Sequence, residues 1–299
     1  MLSVIIPTFR PQEYFLGCLE SLEKQTIERV CFEIIVVLNG EKEPYLSDIH
    51  RNIKKTGLDN IQIIYTEETG VSNARNIGLD HSKGDYIVFL DDDDFVSENY
   101  LSGLYGRITG RKDSIVVSNV RTYDPVTHQE GLDYLSRAFS KNKEGRFSVW
   151  RHRSFFSSVC AKIIPVSVIE DIRFKTKLSV SEDALFMFTI SKNITQVFSS
   201  DRESIYFRRL TANSASRKKR SFTSNLKVMC CANHNYSKIY FSDIKRYRFI
   251  FYLNRIVATI YTFIRRVILM EDERHVTRLQ FFYTHDTSTK NDINHHTNL

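Results

Sequence analysis

Proline and glycine are scarce in this sequence, at five and eleven of 299 residues, and no tract of biased composition or repeat of solenoid period interrupts it. Collagen-like, low-complexity and repeat architectures are therefore excluded. Cysteine is sparse and unpatterned. The five, at positions 18, 31, 160, 230 and 231, are odd in number and form neither a Cys-x-x-Cys pair nor a Cys/His spacing that holds zinc, so reduced thiols are expected instead of a disulfide framework. Long apolar runs are missing as well. Within Phe249 to Met270 the longest stretch without a charge is Ile256 to Ile264, far below the roughly 20 residues that span a bilayer core. The opening Met1-Leu2-Ser3-Val4-Ile5-Ile6-Pro7 has no basic segment ahead of its short apolar run, unlike a secretory leader. The expectation is a cytoplasmic protein, whose contact with lipid would be peripheral, at an anionic membrane surface on the inner face of the plasma membrane.

What remains is a globular composition with an uneven charge. Hydrophobic residues make up 42%, enough for a chain of this length to bury a full core. The net charge is +7. Residues 1–200 carry 24 Lys and Arg against 27 Asp and Glu, and the remaining 99 carry 18 against 8, so the C-terminal third is the basic part. Such a segment suits anionic lipid head groups or a diphosphate-bearing substrate, a solvated helix face being the blander alternative. It carries no nucleic-acid-binding motif, and nucleic acid is not an expected partner.

Short apolar runs at 2–6, 32–38, 61–65, 86–90 and 115–117 read as strands. Their apolar residues are continuous, as in strands of a parallel sheet covered on both faces. Between them, Gln12 to Gln25 sets Phe15, Leu16, Leu19 and Leu22 on one helical face, and Val71 to Asp80 does the same with Val71, Ala74 and Ile77. The alternation predicts an α/β fold: a mainly parallel, doubly wound sheet with helices on both faces. Ligands of such sheets bind beyond the carboxyl ends of the strands. From Arg121 to Phe156 the pattern weakens into connecting structure. A helix is expected over Ser181 to Ser191, and a strand around Ser204 to Arg208. Beyond Thr223 the composition turns helical, so the chain divides into a domain at 1–222 and a basic, helical C-terminal extension at 223–299.

The strongest local feature is Asp91-Asp92-Asp93-Asp94, directly after the apolar run at 86–90. Four adjacent carboxylates at the end of a buried strand repel one another unless a cation or hydrogen-bond donors offset them. A Mn²⁺ or Mg²⁺ ion would do so, since hard cations take oxygen ligands and Mg²⁺ commonly joins one or two carboxylates to substrate phosphates. The alternative is an acidic turn capping the helix that starts near Ser97.

Three segments stand in order: Ser3-Val4-Ile5-Ile6-Pro7-Thr8-Phe9, Gly70-Val71-Ser72-Asn73-Ala74-Arg75-Asn76-Ile77-Gly78, and Gly84-Asp85 followed by the 86–90 run and the aspartates. Together they resemble family 2 glycosyltransferases of the bacterial surface-polysaccharide type, over roughly residues 1–215. The resemblance implies the A-type nucleotide-diphosphosugar transferase fold. It also implies a metal-dependent, inverting hexosyltransferase, taking its sugar from a nucleotide-diphosphate donor, expected to be a UDP-sugar. The implied acceptor is a glycan or lipid-linked oligosaccharide.

Residue by residue, the resemblance places Pro7, Thr8 and Phe9 at the nucleoside pocket and Arg75 near the base or diphosphate. Asp91 and Asp93 match the family's Asp-x-Asp, with Asp93 as metal ligand, Asp91 at the ribose or metal, and Asp92 beside them at the nucleotide sugar. Ser181-Glu182-Asp183-Ala184-Leu185-Phe186 resembles the family's Glu-Asp pair, which makes Asp183 the general base and Glu182 an orienting neighbour. Tyr206-Phe207-Arg208-Arg209, followed by Ser214-Ala215-Ser216, resembles a downstream segment in which Arg208 would close on the diphosphate. Arg217 to Arg220 reads as a solvated basic loop, with anionic lipid as the alternative.

Two positions depart from the family pattern. Leu38-Asn39-Gly40 stands where an acidic residue and a Gly-Ser turn are common, and Asn39 is expected to offer its amide to the base. Arg10 stands where asparagine is frequent. Trp150, the sole tryptophan, is expected in the core, a plate against a sugar face being the alternative. The rival functional class is a non-catalytic nucleotide-sugar-binding or scaffold protein that retains the fold.

Overall fold

The structure, a computed structural model, describes residues 1–178, 180–211 and 221–286, with 268–286 as helical backbone alone. The continuous apolar runs do form strands. β1 (Leu2–Thr8), β2 (Phe32–Asn39), β3 (Ile61–Thr66) and β4 (Tyr86–Phe89) lie parallel in the spatial order β3-β2-β1-β4. Every residue of β1 and β4 is buried, which is why neither sequence alternates. Helices α1 (Tyr14–Glu23), α2 (Tyr45–Ile53) and α3 (Val71–His81) carry the chain from each strand to the next. α3 sits so close to β1 that a Cβ at Gly78 would come within 2.3 Å of Ile5 Cγ2; the position has room only for glycine.

Beyond β4 the chain alternates between two sheets. It runs through β5 (Phe95–Val96), α4 (Tyr100–Ile108), β6 (Ser114–Val117), β7 (Asn119–Tyr123), β8 (Glu130–Leu132), α5 (Tyr134–Ser140), β9 (Gly145–Arg146) and α6 (Val149–His152). There follow β10 (Lys162–Pro165), α7 (Val166–Ile169), α8 (Glu182–Ile190), β11 (Gln196–Ser199) and β12 (Ile205–Arg209). The main sheet is completed in the order β3-β2-β1-β4-β10-β6-β11-β9, with β10 and β9 antiparallel to their neighbours. A smaller sheet has the order β5-β12-β7-β8. The stretch 121–156, read from sequence as connecting structure, thus contains most of β7 and all of β8, α5, β9 and α6. These elements run from two to seven residues, too short for a hydrophobic period to register.

The C-terminal extension forms α9 (Phe222–Ser242) and α10 (Phe249–Asp286). Its inner face shares the core of the α/β domain. Tyr236 meets Phe188 edge-on, Phe251 packs on Phe147 and Phe156, the Tyr247 hydroxyl donates to the Thr189 carbonyl, and Arg255 donates to the Phe156 carbonyl. No described helix is long and apolar enough to cross a membrane. Trp150 corrects an expectation: it stands on α6 at 67% exposure, because α6 is a single turn whose Val149 and His152 take the buried face. Ser214 to Ser216 and Arg217 to Arg220 lie outside the described residues.

Candidate functional site

β1, β2 and β4 end side by side, and the segments leaving them build one crevice. Pro7 is buried within β1. The Thr8 hydroxyl donates to Asp92. Phe9, half exposed, lays its ring against Gly40, where a Cβ would come within 2.8 Å of the ring edge and where φ is +102°. Both constraints call for glycine. Arg10 takes a left-handed backbone, φ 53°, which asparagine tolerates better than arginine. This explains why asparagine suits that position. The Arg10 side chain lies over Phe9 and pairs with Glu41 at 3.4 Å.

Asn39 corrects a second expectation. Its Nδ2 donates to the Thr8 carbonyl at 2.7 Å, its Oδ1 accepts from the Gly70 amide at 2.8 Å, and it is buried. Its amide is therefore engaged by this chain's own backbone, tying the end of β1 to the start of α3, and is not presented to a base.

The four aspartates occupy four different environments. Asp91 Oδ1 accepts from Arg75 Nη2 at 2.9 Å. Asp92 takes the Thr8 hydroxyl. Asp94, buried, accepts the Tyr206 hydroxyl at 2.7 Å and the Arg209 amide at 2.8 Å. The Asp93 carboxylate has no side-chain hydrogen-bond partner among the described residues and turns back on its own amide, while its main-chain carbonyl is engaged by Arg209 Nε at 2.8 Å. Burial, aided by the Asp93 and Asp91 charges, pushes Asp92 up to about 7 in spite of the Thr8 hydrogen bond. Burial and the Asp91 charge also raise Asp93, and burial with the Asp91 and Asp93 charges raises Asp94. The loop thus holds negative charge that its surroundings only partly offset.

β12 of the smaller sheet clamps that loop. Besides reaching Asp94, the Tyr206 oxygen accepts from the Asp91 amide at 3.3 Å. The Arg209 guanidinium is caged over Tyr14 and Phe95. Arg208, expected at the diphosphate, is instead held by Asp133 at 2.6 Å, and Asp133 in turn caps α5 through the Leu135 amide. From there its charge still favours the ionised form of Asp93.

The decisive contact joins the two ends of the sequence motif set. Arg75, on α3 and only 3% exposed, donates Nη1 to Asp183 Oδ1 at 2.6 Å while Nη2 holds Asp91. One guanidinium therefore bridges the aspartate loop and the Glu-Asp pair. Burial opposes the Arg75 charge, but the Asp183 and Asp91 carboxylates more than offset it and raise its pKa. Asp183 lies in the first turn of α8, behind Ser181, whose φ of 65° is left-handed. A non-glycine residue there stores strain of order 1 kcal/mol. Glu182 beside it is raised by burial and by the Asp183 charge.

Asp183 Oδ2 accepts from the Val159 amide at 3.2 Å. Below that loop is a residue that the sequence reading missed. Lys162, on β10 and 1% exposed, donates Nζ to the Cys160 carbonyl at 2.7 Å and to that of Ser158. Burial pulls it down to about 8, against the opposing pull of Cys160 and Asp183. A lysine set in the apolar run Cys160 to Pro165 was the signal available. A recess of about 680 Å³ lies elsewhere, lined in part by Asn119, Arg121, Ser136, Asn142 and Arg202; it includes none of the aspartates or Arg75.

Comparison with known proteins gives the family and the fold. The sequence profile of Glycosyl transferase family 2 matches residues 3–173. The chain belongs to this family. Glycosyltransferase GlyA of Streptococcus pneumoniae is 27% identical over 181 residues, 58% of this chain and 25% of that protein. The poly(ribitol-phosphate) beta-N-acetylglucosaminyltransferase TarP of Staphylococcus aureus is 26% identical over 194 residues, 64% of this chain and 57% of its own. The chain thus spans well under two thirds of the length of such relatives. Among solved structures, residues 1–349 of S. aureus TarS in complex with UDP-GlcNAc align with a TM-score of 0.64 at 19% identity, covering 89% of this chain and 81% of that one. The fold is therefore the family's α/β arrangement, with a mainly parallel sheet and helices following it.

The family implies a divalent cation, and the donor chemistry here fits one. Asp93 offers a carboxylate with no side-chain hydrogen bond, and Asp91 uses only Oδ1 toward Arg75. The described residues contain no group of three or more His, Cys, Asp or Glu set to hold a metal.

Proposed function

We propose that this family 2 member transfers a hexose from a UDP-sugar to a hydroxyl of a glycan or lipid-linked oligosaccharide, with inversion at the anomeric carbon, in the synthesis of a bacterial surface polysaccharide. The observation that carries the reading is the Asp91–Arg75–Asp183 bridge. It sets a carboxylate suited to general-base work next to the loop that would face the donor diphosphate.

In this reading the Phe9 ring stacks on the nucleoside, and Thr8 and Asn39 hold the walls around it. The acceptor hydroxyl passes its proton to Asp183 as its oxygen bonds to the anomeric carbon. The bond from that carbon to the diphosphate oxygen breaks on the opposite face, UDP departs, and the configuration inverts. Held by Asp93 and Asp91, Mn²⁺ or Mg²⁺ would neutralise the charge developing on the departing diphosphate. Arg75 keeps Asp91 and Asp183 from repelling one another and fixes the Asp183 oxygen toward the acceptor. The UDP and UDP-GlcNAc complexes of TarS support the choice of base. The names of TarP and of the minor teichoic acid biosynthesis protein GgaB of Bacillus subtilis support a cell-surface polymer as the product. A lipid-linked acceptor would present its sugar at a membrane, where this chain would attach peripherally.

The test is a panel of UDP-, GDP- and dTDP-sugars with Mn²⁺, Mg²⁺ or chelator, reading release of the free nucleotide. One UDP-sugar should turn over, and chelator should suppress it. Release from no donor under any of these conditions would leave the scaffold reading in its place.

A further inference from the structure

α10 is apolar on two opposite faces. One carries Phe251, Arg255 and Ile256 and packs against the α/β domain. On the other, Ile250, Leu253, Val257, Tyr261 and Ile264 are all exposed, Val257 at 55% and Tyr261 at 64%. At 100° per residue these five fall within an arc of about 80°, one continuous stripe over four turns. Phe241, Ile244 and Phe249, just before or at the start of the helix, are exposed as well. A helix apolar all round is ordinarily enclosed, and a contiguous exposed stripe marks an interaction surface.

The charges around the stripe select its occupant. Apart from the inward-facing Arg255, residues 244–270 contain five basic side chains, Lys245, Arg246, Arg248, Arg265 and Arg266, and no acidic one. Lys245 and Arg246 are exposed at one end of the stripe and Arg265 at the other. A second copy docking stripe to stripe would bring like charges together. An anionic surface with an apolar layer beneath it complements both features.

We propose that the outer face of α10 lies in the interface of an anionic lipid bilayer, its apolar stripe at the head-group and acyl boundary and its basic ends on lipid phosphates. This deepens the reading of a membrane-presented acceptor, but the surface is defined without reference to the catalytic residues. The active-site crevice would then be held at a fixed height above the leaflet that displays the acceptor.

Flotation of the full chain with vesicles tests this. The protein should rise with phosphatidylglycerol/phosphatidylcholine vesicles and not with phosphatidylcholine alone, and high salt should weaken binding. The double substitution Val257→Glu and Tyr261→Glu should reduce the bound fraction at least tenfold. Lys245→Gln with Arg265→Gln should weaken binding about fivefold per charge removed. All of these positions are exposed, so UDP release in solution should stay unchanged and report intact folding. Asp183→Asn should float like the unaltered chain while losing transfer, which separates failure of the surface from failure of the catalytic assignment. Absence of flotation, flotation indifferent to the stripe substitutions, or a dimer in solution that those substitutions convert to monomer would each overturn the proposal.

Discussion

On the strand-end side of the site, the groups that define it arrive in short contiguous stretches. Thr8 to Arg10 end β1, Asn39 and Gly40 end β2, and Asp91 to Asp94 end β4, each placed by the buried parallel strand before it. On the opposite side the same work is done by partners far apart in sequence: Arg75 with Asp183, Arg208 with Asp133, Tyr206 with Asp94, and Lys162 beneath the loop that holds Asp183. A strand end is supported by a whole sheet, and losing one side chain leaves the backbone where it was. A site held by buried charges has no such reserve, because removing one partner exposes the other to the full cost of burial, about 3–5 kcal/mol. Substitutions on the two sides should therefore fail in different ways.

The largest expected effect is at Asp183. Asp183→Asn keeps the shape and the Val159 contact but removes proton acceptance, so transfer should fall by about 10³-fold or more in kcat while affinity for the UDP-sugar changes little. Single-turnover transfer beside calorimetric donor binding would show it. Retained transfer would move the base elsewhere and leave Asp183 as only a brace for Arg75.

Next comes Tyr206→Phe, which removes one hydroxyl from the junction between the smaller sheet and the aspartate loop. Asp94 loses a donor and the Asp91 amide loses its acceptor inside a buried site, a cost of about 1–3 kcal/mol. Denaturation should register that loss, and the loosened loop should raise KM for the UDP-sugar more than it lowers kcat. Equal stability of the variant would mean that β12 does not support the loop.

The same contrast decides what could be read from the residues in order. β1, β2, β4 and α3 announce themselves because burial on both faces, or on one helical stripe, writes a pattern along contiguous positions, whereas β3, at the sheet edge, is only partly buried. Asp91 and Asp183 stood out only as members of motifs; nothing in their spacing states that Arg75 joins them. Of the small sheet only β12 is expected from sequence, around Ser204 to Arg208, because β5 and β8 are two and three residues long, too short for a period to register. Asn39 looked like a ligand-facing amide, since its type allows that, but its partners at Thr8 and Gly70 are fixed by the crossing of two loops. Arg208 has a partner that its place in the motif does not announce. A guanidinium downstream of the motifs reads as a phosphate clamp until a buried carboxylate, Asp133, is found beside it.

The smallest expected effect sharpens the contrast most, because it isolates a buried charge from the chemistry. Lys162 is pulled down to about 8 by burial, whereas in the unfolded chain it titrates near 10.4. Between those values the unfolded state binds more protons than the folded one, so this residue's contribution makes stability rise with pH across that window; below about 8 both states are charged and the contribution is flat. Lys162→Met should remove that rise. The stability of the unaltered chain minus that of the variant, measured by denaturant titration, should grow by about 2 kcal/mol between pH 8 and 10. Taking the difference cancels the buried tyrosines that titrate above this range. The Ser158 and Cys160 carbonyls also lose their common donor, so the Val159 amide should hold Asp183 less firmly and kcat should drop several-fold with donor affinity unchanged. Parallel pH profiles for the two proteins would show that Lys162 carries no buried charge, and the Asp183 side of the crevice would then rest on Arg75 alone.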